Sequence, residues 1–260
     1  MALVTEKKTL KPMYLWESLL WFGAWAVILF ISTYVFMPCL MAGKMSDFDS
    51  FFLAMTVPMA LMFIAAWVLG RLNGQNSLKD MGERYRMRSF SMKDVAWGIG
   101  AGLVSMAGMG LFSVLGAKVI DAGLLPVPKG LPLLLDPHAE FSQAALDQAV
   151  GGKILGNWPV LLKYFVMLFF NITGEELFWR GYVLPRQELA FGRNAWWIHG
   201  ILWALYHSFK WWDVVSLVPV CLVIAFAAQK RKSFWPGFIA HYMVNGMGFL
   251  LFFTKVTGIL

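Results

Sequence analysis

Seven stretches of this chain run through apolar residues with almost no charge, and they limit its fold more than any other feature. They cover 18–43, 51–70, 95–117, 158–174, 195–209, 214–229 and 233–254, and within them Lys163 is the sole lysine or arginine and no acid appears. About 20 apolar residues at a rise of about 1.5 Å each cross a hydrocarbon core of about 30 Å. A polypeptide in lipid must satisfy its own backbone, which leaves helices or closed barrels, and runs of this length suit helices. Composition agrees: 59% of residues are hydrophobic and 14% charged, against roughly 25% charged in soluble chains. The expected fold is all-α, a polytopic integral membrane bundle of about seven transmembrane helices, with eight as the alternative count. The first run exceeds a signal-peptide core and has no clear cleavage site, so it reads as a retained helix.

Charge placement gives an orientation. Fifteen of the 22 lysines and arginines fall in Lys7–Lys11, Arg71–Lys93, Arg180–Arg193 and Lys230–Lys232, on one side of a seven-helix path. That bias predicts a cytoplasmic N-terminus, and a plasma-membrane location in a bacterium. It also accounts for the net charge of +7 without a nucleic-acid partner. The basic segment 71–94 suits anionic lipid headgroups. The long connection 118–157 holds Pro126, Pro128, Pro132 and Pro137 and would lie outside, with a helix around 142–150. It reads either as a lid or as a solvated surface loop. Cys39 and Cys221 lie in apolar runs without metal-ligand spacing and read as small hydrophobes. Gly98 and Gly102 have the spacing that lets helices approach closely.

Polar groups inside spans are costly, so they are candidates for function. They fall in three places: Glu175, Glu176 and Arg180; Trp203 and His207, with His199 earlier; His241 and Asn245. On an α-helix Glu176 and Arg180 share a face and can pair, while Glu175 is rotated about 100° away. One glutamate is therefore expected to be structural and the other to face a cavity. His241 and Asn245, also four apart, can converge on one point, and Trp203 offers an apolar wall one turn before His207. Counted from the basic residues, Glu175, His207 and His241 reach a similar depth, roughly 14–21 Å.

A carboxylate desolvated in a membrane cavity is a competent base, and with His207 it could deprotonate a water for attack on a peptide carbonyl. His241 and Asn245 could then donate to the oxyanion. Zinc on Glu175, His207 and His241 is the rival. Asparagine is a poor zinc ligand and no H-E-x-x-H occurs, so no cofactor is favoured. A proton-coupled carrier would use similar groups, but the chain has no inverted repeat. His199 reads as interfacial beside Trp196 and Trp197, His138 as solvent-facing, and Asn171 and Thr173 as local helix hydrogen-bonders, either of which could line the cavity. Trp196, Trp197, Trp211 and Trp212 fit interface belts.

Glu175-Glu176-x-x-x-Arg180, then Trp203 and His207, then His241-x-x-x-Asn245, resembles the CPBP intramembrane protease family, which includes type II CAAX prenyl endopeptidases and bacterial Abi proteins. The resemblance covers about 171–245. It implies an endopeptidase of membrane-embedded or lipidated, CAAX-like substrates, with water activated by Glu175 and His207, and His241 and Asn245 as the oxyanion site. Glu176, Arg180 and Trp203 would support them. It divides a single membrane domain into N-terminal helices with the Pro-rich loop over 1–157 and a catalytic core over 158–254. Where the family carries Phe, this chain has Trp203. Family members are widely labelled metalloproteases, which keeps zinc as the alternative. Water would enter through a cavity open to the cytoplasm. The other class of function is a non-catalytic bacteriocin-immunity or partner-binding protein of the same fold.

Overall fold

The computed structural model describes residues 10–87 and 90–259; Lys7, Lys8 and Arg88, which entered the charge count, lie outside them. The chain is an all-α membrane bundle, without strands among the described residues. Helix α1 (Leu15–Ile31) continues through a π turn, Ser32–Phe36, into α2 (Met37–Ala42). Then come α3 (Asp47–Leu72), the short α4 (Leu78–Arg84) and the 30-residue α5 (Met92–Asp121). The side chains of Ser46, Ser77 and Ser91 each accept a backbone N–H of the first turn, which fixes where α3, α4 and α5 begin. The long connection carries α6 (Gln143–Ala149), capped by Ser142 inside the helix-compatible stretch.

The second half holds α7 (Trp158–Glu175), a π-helical segment Glu176–Val183, and α8 (Leu184–Phe191). Helix α9 (Ala195–Tyr206) gives way to a 3-10 turn, His207–Asp213, and α10 (Val214–Arg231) and α11 (Trp235–Thr257) complete the bundle. Among the described residues five stretches are long and apolar enough to cross a membrane, the fourth being Trp158–Arg231, which contains α7 to α10. Each of the seven runs coincides with a helical stretch, but α9 is only 12 residues, about 18 Å. His207, at φ −79° and ψ 16°, leaves the α-helical region, and Lys210, at φ −127° and ψ 60°, kinks the chain before α10.

Large apolar side chains such as Leu103, Leu111 and Leu162 point outward, as a bilayer solvent demands, while small residues let helices close in. A Cβ on Gly98 would come within 2.7 Å of Ile239 on α11, and one on Gly102 within 2.5 Å of Met243. The glycine pair is thus an intramolecular seam between α5 and α11. Gly174 brings α7 onto the backbone of α3 at Met59 in the same way.

The two ends of the bundle differ in chemistry. At one, Arg86 makes two hydrogen bonds to Glu188, which Lys232 also contacts; Arg231 pairs with Asp94 at 3.0 Å and Arg186 with Glu17 at 2.9 Å. The described basic residues of the charge count collect there, apart from the buried Arg180. The opposite end carries the Pro-rich connection. Its Leu146 and Ile154 pack with Phe48, Val160 and Phe252, and Trp211 donates to the Pro126 carbonyl at 2.7 Å. This connection is a packed wall, and His138 on it is exposed as expected.

Candidate active site

The turn after α7 separates the two glutamates. Glu175 is the last α-helical residue and Glu176 opens the π segment, whose wider turn redirects the following side chains. Glu176 and Arg180 pair at 3.4 Å with both side chains fully buried. The Arg180 guanidinium also lies 3.4 Å over the centre of the Trp203 ring, a cation–π contact. Gly237 on α11 is required here, because a Cβ would meet Glu176 Oε2 at 2.5 Å. Gly181 likewise gives room to Tyr85, whose hydroxyl donates to the Ala66 carbonyl.

Glu175 faces the other way, into a cavity of about 620 Å³. Its Oε2 accepts the indole N–H of Trp203 at 2.6 Å and its Oε1 accepts Nδ2 of Asn171 at 3.1 Å. Asn171 Oδ1 accepts Nδ2 of Asn245 at 2.8 Å, and Nδ2 of Asn245 also meets Nε2 of His241 at 3.1 Å. His241 turns Nδ1 to Glu176 Oε1 at 2.9 Å. A carboxylate only accepts, so the proton of neutral His241 sits on Nδ1 and Nε2 accepts from Asn245. His207 Nδ1 lies 2.8 Å from the Trp203 carbonyl. That carbonyl is free because the change from α to 3-10 geometry turns the His207 backbone N–H to Ala204 and Leu205. A carbonyl only accepts as well, so His207 carries its proton on Nδ1 and directs an unshared pair on Nε2 outward.

Glu175, His207, His241 and Asn245 therefore line one cavity, together with Asn171, Trp203 and Tyr206, while Glu176 and Arg180 sit behind it. The sequence reading missed two partners. Asn171 bridges two of the motifs, and Trp203 supplies a hydrogen bond as well as a wall. Thr173, considered with Asn171, does not line the cavity. His199 is not interfacial: it is fully buried, with Nδ1 2.6 Å from Gln187 Oε1 and Phe22 against its ring. Trp212 is a core residue at 3% exposure, where a belt position was expected.

The cavity and the basic residues lie towards different ends of the bundle. From Glu175 and His241 the cavity runs past Tyr164, Phe51 and Lys210 to Leu134, Pro137 and Phe141, at the end opposite the basic residues. A cytoplasmic basic end and a cytoplasmic opening cannot both hold, because α7 and α11 place them at opposite ends. His241 is nevertheless nearer the basic end, six residues into the 23-residue α11.

The rival metal set does not fit this arrangement. Among the described residues no three His, Cys, Asp or Glu side chains are placed to hold a metal ion together. Both nitrogens of His241 face other partners, and each Glu175 oxygen receives an N–H.

Residues 157–247 match the family model described as type II CAAX prenyl endopeptidase Rce1-like. The match contains all three motifs. The UPF0177 protein YxdF of Lactococcus lactis subsp. lactis (strain IL1403) is 25% identical over 194 residues, covering 75% of this chain and 91% of the relative. No solved structure matches. The chain is thus a helical membrane protein whose second half is similar to type II CAAX prenyl endopeptidases, in line with the resemblance its motifs carry.

Proposed function

We propose that the protein is an intramembrane endopeptidase that hydrolyses peptide bonds of membrane-embedded or lipidated substrates without a metal. The observation that carries this reading is the convergence of Glu175, His207, His241 and Asn245, from three separate helical segments, on one cavity. The cavity is large enough for a peptide segment, and apolar side chains such as Met55, Met109, Met167 and Leu217 dominate its walls.

A water held between the Glu175 carboxylate and Nε2 of His207 loses a proton to one of them as its oxygen bonds to the scissile carbonyl carbon. The carbonyl electron pair moves to oxygen. Asn245 Nδ2 then donates to the oxyanion, while His241, anchored through Nδ1 on Glu176, positions Asn245 through Nε2. Collapse of the intermediate returns the proton to the leaving amine. Arg180 holds Glu176 in place and needs no contact with substrate.

The test is a comparison of membrane proteomes and peptide termini between cells carrying the wild-type protein and cells carrying Glu175→Ala or His207→Ala at equal abundance. Substrates that are cleaved in the wild type and accumulate uncut in both variants are expected. Cleavage that persists in both variants overturns the reading. An immunity or partner-binding phenotype that survives both changes would favour the non-catalytic alternative.

A further inference from the structure

We propose that Asn171 is a positioning residue that ties the donor state of Asn245 to the charge on Glu175, a role that rests on the protease reading of the same cavity. Asn171 lies one turn before Glu175 on α7 and touches both Glu175 and Asn245. Its orientation is forced. An ionised Glu175 accepts only, so Asn171 presents Nδ2 to it and must present Oδ1 to Asn245. Asn245 then directs its two Nδ2 hydrogens at Asn171 Oδ1 and His241 Nε2, and neither is free for a ligand in the cavity. The resting site holds a base ready and its oxyanion donor occupied.

Attack changes the balance. The O–H bond of the water breaks, its proton goes to Glu175, its oxygen bonds to the carbonyl carbon, and the π pair becomes the oxyanion. Neutral Glu175 no longer demands the Asn171 N–H as a charged carboxylate does, since hydrogen bonds to ionised groups are the stronger ones. The constraint on Asn171 relaxes, and one Asn245 N–H turns to the new negative charge. The donor is released at the step that creates the need for it. Nothing else links the two groups so directly: the other contacts of Glu175 run to Trp203, and those of Asn245 to His241.

Asn171→Leu keeps the volume and removes both bonds. Its kcat is expected to fall roughly 10–100-fold with KM within about twofold, the effect of losing a group that orients a reacting residue. Asn171→Gln, which keeps the amide, should recover part of the rate. A second readout needs no turnover: infrared spectra of purified protein in nanodiscs across pH, with the Glu175 band assigned by its absence in Glu175→Gln. The pH at which that band appears should move by about one unit in Asn171→Leu, because a hydrogen bond to the charged form has been removed. A kcat within about threefold of wild type, or a band that does not move, overturns the proposal. A displaced band in a protein that cleaves no substrate would uphold the coupling of Asn171 to Glu175 and overturn the protease reading instead.

Discussion

Trp203 donates its indole N–H to Glu175 at 2.6 Å while its own backbone carbonyl lies 2.8 Å from Nδ1 of His207, so one residue orients both groups that would handle the water. Its ring also covers the Arg180 guanidinium and meets His241 edge-on at 5.3 Å. Phenylalanine at this position would keep a ring without the donor. Trp203→Phe should therefore fold and keep the stack on Arg180. It should lower kcat by roughly tenfold, the effect of freeing one oxygen of Glu175. Trp203→Ala should instead lose about 3–5 kcal/mol of stability through the cavity it leaves. Steady-state kinetics and thermal denaturation of the two variants separate these effects.

The two adjacent glutamates should behave differently. Glu176→Gln leaves the buried Arg180 cation without its carboxylate, a loss of about 3–5 kcal/mol. It should reduce the yield of folded protein more than the turnover of what folds. Glu175→Gln should leave yield intact and abolish turnover. Abundance by quantitative blot, set beside activity per folded molecule, checks both, and the reverse pattern would exchange the two roles.

Glycines on α5 should divide into two classes. Gly98→Leu forces a side chain against Ile239 across the seam with α11 and should cost about 1–3 kcal/mol. Gly100→Leu, with nothing within 4 Å of a Cβ, should be neutral in a thermal aggregation assay.

The sidedness of the cavity can be read by labelling. In a background with Cys39→Ser, Phe141→Cys at the mouth and Lys232→Cys at the basic end should react with a membrane-impermeant thiol reagent from opposite faces of sealed vesicles. Labelling of both from the same face would contradict the arrangement of α7 and α11. Cleavage should also survive a strong chelator, because the partners of His241 and Glu175 leave no shared metal position; loss of activity restored by zinc alone would count against the water-activation scheme.

The sequence made the bundle and much of the site legible for one reason: polar groups in lipid are scarce enough to stand out. Charge-free runs marked the helices, and the spacing of Glu176 and Arg180 anticipated their pair. Four features escaped it. The π turn at Glu176 and the 3-10 turn at His207 are departures from the 3.6-residue period that sets side-chain directions on a regular helix. Asn171 looked like a residue serving its own helix, since its bridging role depends on Asn245, 74 positions away. The approach of the cavity to Leu134, Pro137 and Phe141 was not legible from charges at the other end. Depth along a helix does not reveal which end the packing seals.

The early stop of α9 bears on the surrounding lipid as well as on His207. Its outer face, with Trp197, Ile201 and Leu205 exposed, offers about 18 Å of regular helix to a hydrocarbon layer of about 30 Å. A bilayer that thins to match so short a helix would dip beside α9. A helical segment arriving there would lose its hydrocarbon surroundings before it met the site, and a backbone that meets water is easier to unwind and present for attack.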